Sequence, residues 1–456
     1  MKNVLVFLNK INSFIWGTPT LLLIFFTGVI LSLRTKFFQI RSFPRAFKNF
    51  FKNPQTKSQK NMTPFQSAAT ALSATMGTGN IVGVAGAIAL GGPGAVFWMW
   101  VSAVFCMIIK FSEIALSVRY REQNKQGEYS GGAMYYIKNA LPRFFSPLGK
   151  IFSVCGIIAS FGVGNITQIN TMSNSVDALF NICFGVSPRI GFYIKLATGI
   201  ICALCCSIVL KNAGRIGGFC EKMIPLVSIS YICMTLGAIL VNYKNIPSAF
   251  FQIIVGAFNP RVVTGGVIGS MFIGMRFGMS RGVFSNEAGL GTAPIAYACA
   301  DGDEMTLGLM GIMEVFIDTI IVCTLTALTI LCTTDITYGV DLGANLTLNA
   351  LSSVFGKNII FVFCPVVCFF AFSSVIGWGL YGVKFISFLL GEKFKKIYLF
   401  IFVILMLPAA VFRADIVWVI AEIFNGLMIT PNIIAILFLN NKIINIIYTY
   451  INKSTT

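Results

Sequence analysis

The 456-residue chain carries 34 Lys and Arg against 16 Asp and Glu, has no histidine, and is 56% apolar. So few charges could not cover a water-soluble domain of this size, so the composition points to a bilayer. The formal charge of +18 would suit a nucleic-acid partner, but the basic residues cluster in alternate loops, the pattern of membrane orientation. The lack of histidine excludes His-based catalysis, His metal sites and histidine proton relays.

Apolar runs of about 18 or more residues recur along the chain, each long enough to cross a hydrocarbon core. They are rich in Phe, Ile and Leu without polar–apolar alternation, so they read as helices and not as barrel strands. The expectation is an all-α integral membrane protein of eleven spans. Their centres lie near Phe25, Gly79, Val104, Ala159, Ile201, Ile229, Phe272, Ile320, Phe370, Leu405 and 421–436. The first run, from about Phe14 to Leu33, is too long for a signal peptide, and its basic cluster follows it instead of preceding it.

Loop charge sets the expected orientation. Arg34, Lys36, Arg41, Arg45, Lys48, Lys52, Lys57 and Lys60 follow the first span with no acid among them. Further basic loops fall at Arg119–Lys150, Lys211–Lys222, Arg276 and Arg281, Lys384–Lys396, and Lys442–Lys453. The intervening loops hold less: Arg189 and Lys195, Lys244 and Arg261, Lys357, and Arg413. The N-terminus is then outside and the C-terminus cytoplasmic.

The second span, Ala71–Ala89, interleaves Gly77, Gly79, Gly83 and Gly86 with Ser73, Thr75, Thr78 and Asn80. Small residues at this spacing serve close helix packing. They equally suit an unwound midplane segment, whose carbonyls coordinate a cation and whose following N–H groups face a carboxylate. Packing alone does not explain the clustered Thr and Asn, which favours the break. Cys202, Cys205 and Cys206 have a CxxC spacing but no partner pair, and read as helix-packing residues.

Thr264–Gly282 holds the next glycine cluster, five spans later. Two interrupted helices in corresponding places predict two inverted five-helix repeats, residues 61–243 and 244–441. A leading helix and basic loop (1–60) precede them, and a cytoplasmic tail (442–456) follows. Ser373 and Ser374 are paired hydroxyls in the span Phe369–Trp378. They suit a monovalent cation ligated by oxygen, though back-bonding to their own helix would also satisfy them. Glu113, Glu314 and Asp318 fall inside spans, where ionisable groups tend to be functional. Glu314 and Asp318, four apart, read as a proton-coupling pair or as structural groups. Arg281 and Glu287 read as parts of a cytoplasmic gate or as interfacial charges.

These segments resemble the alanine or glycine:cation symporter family, whose members are similar to broken-helix amino-acid transporters with five-plus-five inverted repeats. The matching stretches are Ala71–Trp100, Gly131–Ile137, Arg281–Pro294 and Phe372–Trp378. The resemblance implies sodium-coupled symport of alanine or glycine into the cytoplasm by alternating access, at the cell membrane. It implies Na+ at the carbonyls of Ser73 and Met76 with Phe370, Ser373 and Ser374. The N–H groups of Thr78 and Gly79, after Gly77, would hold the substrate carboxylate, with Thr75 and Asn80 bordering the same space and Gln168 facing it. Phe272, Ile273 and Gly274 would supply carbonyls to the ammonium, and Trp378 would limit side-chain size. Proton symport and exchange stay open as couplings. A passive channel would need a continuous polar pore lining, and no nucleophile–base pair suggests an enzyme. The partners expected are the amino acid and the bilayer, with no nucleic acid and no obligatory protein.

Overall fold

A computed structural model describes residues 2–51, 61–124, 127–340, 343–412 and 415–453. Of the loop charges, Lys52, Lys57, Lys60, Lys125 and Arg413 lie outside the described residues. The fold is all-α, apart from a two-residue hairpin pairing Glu122–Gln123 with Tyr129–Ser130. Among the described residues nine helices are long and apolar enough to cross a membrane, and the bent pair Pro64–Thr75 and Gly79–Gly91 makes a tenth.

The chain opens with α1 (Lys2–Ile15) and α2 (Thr18–Arg34), then a short amphipathic helix, α3 (Phe43–Phe51). Helix α4 (Pro64–Thr75) starts sharply. Pro64 fits the first helical position, while Thr63 and Gln66 exchange side-chain and backbone hydrogen bonds as a capping box. After the break come α5 (Val84–Gly91) and α6 (Ala95–Arg119). Two spans follow: α7 (Ser146–Phe161) with α8 (Thr167–Phe184), and α9 (Pro188–Val209). Next is α10 (Ala213–Val241), and then α11 (Met271–Asn286) and the short α12 (Ala293–Ala298). The remaining site-forming helices are α13 (Glu304–Val315), α14 (Ile360–Leu390), α15 (Asp415–Leu427) and α16 (Ile429–Phe438).

Burial separates centre from rim. In the most apolar window of α6, 83% of residues are buried, against 17% in α9. Helix α6 is therefore wrapped by protein, and α9 presents its Phe, Ile and Leu side chains to lipid. Glycine permits the tightest of the central contacts. A Cβ on Gly278 of α11 would stand 2.1 Å from the Ala95 carbonyl oxygen, so this crossing needs a residue without one.

The span expected around Phe272 differs from expectation. Helix α11 begins at Met271 and runs unbroken to Asn286, so Phe272, Ile273 and Gly274 are not a break. Phe272 is 63% exposed, and Gly274 packs against the Gly91 carbonyl. The helix gives way only at residues 287–292, which lie between it and α12. There Glu287, Gly289 and Gly291 all have positive φ (53°, 88° and 78°).

Candidate functional site

The first break follows Thr75. Met76 turns out of the helix with ψ of 100°, and the chain re-enters through a wide turn, Gly79–Gly83, at 49° to its first half. Asn80 secures the break, accepting from the Gly77 N–H at 3.0 Å. Its amide donates to Asp318 Oδ1 (2.7 Å) and Ser285 Oγ (3.0 Å). Ser285 and Thr319 each donate to Asp318 Oδ2 at 2.9 Å. One buried carboxylate thus ties the first break to the last turn of α11. The N–H groups opening the second half-helix have no partner in their own helix and suit an anion.

The paired serines of α14 face this break. Ser374 Oγ donates to the Ser73 carbonyl at 3.0 Å and to the Phe370 carbonyl at 3.1 Å, while Ser373 Oγ donates to Phe370 O at 2.8 Å. Ser73, Phe370, Ser373 and Ser374 are all buried. Back-bonding to their own helix was one reading of these hydroxyls, and both make such a bond. Ser374 also reaches across to α4, which gathers oxygens from two helices beside the unwound turn. Met76, the fifth residue expected here, is buried too, and its sulfur accepts from Ser228 at 3.9 Å.

Next to these oxygens is a cavity of ≈ 30 Å³ whose lining includes Thr75, Gly77, Thr78, Gly79, Gln168, Glu287, Trp378 and Asn425. Asn80 does not line it; its side chain is turned to Asp318. Gln168 anchors its amide nitrogen on the Val163 carbonyl at 3.1 Å, and its Oε1 is buried without a partner. Asn425 Oδ1 is likewise buried and unpartnered. Trp378 closes one wall, and Gly164 leaves it room: a Cβ there would stand 2.3 Å from the Trp378 Cβ.

The second break contributes Glu287, a non-glycine residue in the left-handed region, a conformation costing roughly 1–2 kcal/mol. Thr292 Oγ1 donates to its Oε2 at 2.6 Å. Asn286 Oδ1 accepts from the Ala288 N–H, and Asn432 of α16 donates to the Gly289 carbonyl at 2.9 Å. Asn432 also donates to Glu113 and accepts from Tyr136. Glu113 therefore braces the second break through Asn432.

Glu314 and Asp318 do not pair with each other. Glu314 meets Lys110 of α6 at 3.1 Å, both side chains fully buried, and Asp318 serves the first break. Burying such an ion pair costs heavily unless its geometry is good, and removing one member leaves a charge stranded.

Arg281 is also placed differently from expectation. It lies on α11 beside Gly282, whose own neighbours Met99 and Ser102 are in the first half of α6, whereas Arg119 and the basic stretch after it are at the far end of α6. It meets Glu422 of α15 at 3.7 Å. Glu422 further accepts from Asn12 (2.6 Å) and Trp418 (3.0 Å), and its carbonyl accepts from Trp16. Beyond Trp418 opens a pocket of ≈ 560 Å³ that includes Asn170, Asn174 and Asn345. Trp418 lines both that pocket and the cavity, so the cluster stands between the two.

Sequence reasoning did not find Trp418, Glu422, Asn425 or Lys110. The first three stand at i, i+4 and i+7 on one helical face, a polar stripe in an apparently ordinary span. A lysine in the middle of a crossing is itself a signal.

The sodium:alanine symporter family profile matches residues 1–456. A sodium/alanine symporter of Methanococcus maripaludis is 38% identical over 452 residues, covering 96% of this chain and 95% of that protein. An uncharacterized transporter of Haemophilus influenzae is also 38% identical, over 441 residues and 96% and 94% of the two chains. A probable sodium/glutamine symporter of Bacillus subtilis is 32% identical, over 96% and 89%. Among solved structures, MhsT in complex with L-phenylalanine superposes with a TM-score of 0.50 at 14% identity, over 86% of this chain and 99% of that one. A manganese transporter of Eremococcus coleocola gives 0.51 at 13%, over 82% and 78%. Both likenesses concern the fold alone.

Proposed function

The chain belongs to the sodium:alanine symporter family, and from that premise we propose that it couples Na+ entry to uptake of alanine or glycine by alternating access. It is a membrane transporter with amino-acid symporters among its relatives; the substrate, the ion site and the mechanism are our reading. The observation that carries it is the meeting of Ser374 Oγ with the Ser73 and Phe370 carbonyls beside the cavity.

In this reading Na+ sits among Ser73, Met76, Phe370, Ser373 and Ser374, ligated by neutral oxygens. The substrate carboxylate faces the N–H groups of Thr78 and Gly79, with Gly77 leaving the approach open. Its ammonium is directed to Glu287, Gln168 Oε1 and Asn425 Oδ1, and not to the carbonyls of Phe272, Ile273 and Gly274. Trp378 and the backbone walls leave room for a short side chain only. Asn80, held by Asp318, keeps the first break in shape, and Arg281 with Glu422 forms the outer gate.

The topology proposed is eleven crossings, with α11 and α12 supplying the interrupted one, the N-terminus outside and the C-terminus cytoplasmic. Residues 61–243 and 244–441 would be the inverted repeats. A proton-coupled alternative draws on Glu287, a carboxyl group lining the cavity itself. Labelled alanine and glycine uptake into reconstituted vesicles decides between them. Uptake should require an inward sodium gradient, and equal uptake driven by a pH gradient without sodium would overturn the assignment.

A further inference from the structure

A second concave site lies behind the first break. It has a volume of ≈ 440 Å³ and is walled by Phe50 and Phe51 of α3, Leu72 and Met76 at the end of α4, and Pro225 and Ile229 of α10. That volume is within the range of built ligand pockets. The walls are almost entirely hydrocarbon, so they offer nothing to a hydrophilic solute. At membrane depth the chemistry that fills such a cleft is an acyl chain.

Charge on the helices that wall it selects the lipid class. Helix α3 buries Ala46 and Phe50 against the protein and exposes Arg45 and Lys48, the habit of a helix lying in the interface. Lys222 is exposed as well, one turn from Pro225 on the stripe that continues to Ile229. Both lysines sit on helices within stretches of the chain rich in Lys and Arg, the kind that attract anionic headgroups.

We propose that this groove is a binding site for an acidic phospholipid, with one acyl chain against Met76 and the headgroup phosphate on Lys48 and Lys222. Met76 is where α4 unwinds, and Ile317 and Ile321, on either side of Asp318, complete the wall. A seated chain therefore backs the segment that presents carbonyls to the ion. The lipid assignment stands on the groove; its effect on sodium rests on the proposed function.

The test uses the full chain, purified in mild detergent and exposed to phosphatidylglycerol or phosphatidylcholine. Native mass spectrometry should find phosphatidylglycerol retained in preference. The double variant Lys48→Gln, Lys222→Gln should lose it, and so should Ile229→Trp, which fills the groove and leaves the charge intact. In vesicles, phosphatidylglycerol should lower the sodium half-saturation of alanine uptake by about fivefold in the parent chain, the low end of coupling between two sites, and leave both variants unmoved. Equal retention of the two lipids, or retention unchanged in both variants, overturns the site. Selective retention lost in the variants, with uptake indifferent to sodium, upholds the site and overturns the sodium reading instead.

Discussion

Replacing Ser374 by Ala removes one oxygen and nothing else from the proposed ion site. The parent hydroxyl spans two helices, bonding Ser73 O of α4 and Phe370 O of α14 at 3.0 and 3.1 Å. Without an ion the loss is an ordinary hydrogen bond, about 0.5–1.5 kcal/mol of stability. With the ion bound it is a charge-assisted contact, about 1.5–3 kcal/mol. The difference between the two states is therefore about 1–2 kcal/mol, or roughly 5- to 30-fold in sodium affinity at 1.4 kcal/mol per decade. Ser373→Ala should have the smaller effect, because that hydroxyl bonds only within its own helix. Ser374→Thr should preserve the parent behaviour. Sodium activation of labelled alanine uptake in proteoliposomes measures all three. An unchanged half-saturation in Ser374→Ala, with protein of normal thermal stability, would refute the placement of the ion.

Glu287→Gln keeps the acceptor for Thr292 but removes the charge that faces the cavity; alanine affinity measured by calorimetry should fall about 10-fold or more, since a charged partner contributes ~1.5–3 kcal/mol. If the affinity holds, the ammonium points elsewhere. Lys110→Met strands Glu314 in a dry interior and should cost about 3–5 kcal/mol of unfolding free energy, whereas Lys110→Met with Glu314→Leu should recover most of it. A double variant no more stable than the single would show that the pair is not isolated. Gly164→Ala drives a methyl into Trp378 and should lower stability by about 1–3 kcal/mol, with substrate binding lost alongside; normal binding would mean that the tryptophan wall yields.

The first break was legible because its polar residues have no packing use: Gly77, Thr78, Gly79 and Asn80 form one continuous polar, glycine-rich stretch in an apolar run. The second was misplaced because glycine density is an ambiguous signal. Gly274 and Gly278 serve close helix contact, and Gly265 and Gly266 sit in the turn before α11. The backbone leaves the helix instead at Glu287, Gly289 and Gly291, where positive φ, and not glycine count, marks the change. Nor could spacing pair the intramembrane acids. Glu314 and Asp318 share a helix face by periodicity, yet the partners that assign their roles, Lys110 and Asn80, are about two hundred residues away in the chain. Such pairings are properties of the assembled fold.

Helix α15 puts Trp418 at the outer pocket, Glu422 in the ion pair with Arg281, and Asn425 in the cavity wall. All three lie on one helix, so in the proposed transport cycle a turn about its long axis would move the doorway, the bolt and the cargo contact together. Evolution or engineering that adjusts any one of them on this helix must re-tune the other two, and a cargo too bulky for Asn425 would keep the bolt at Glu422 from closing.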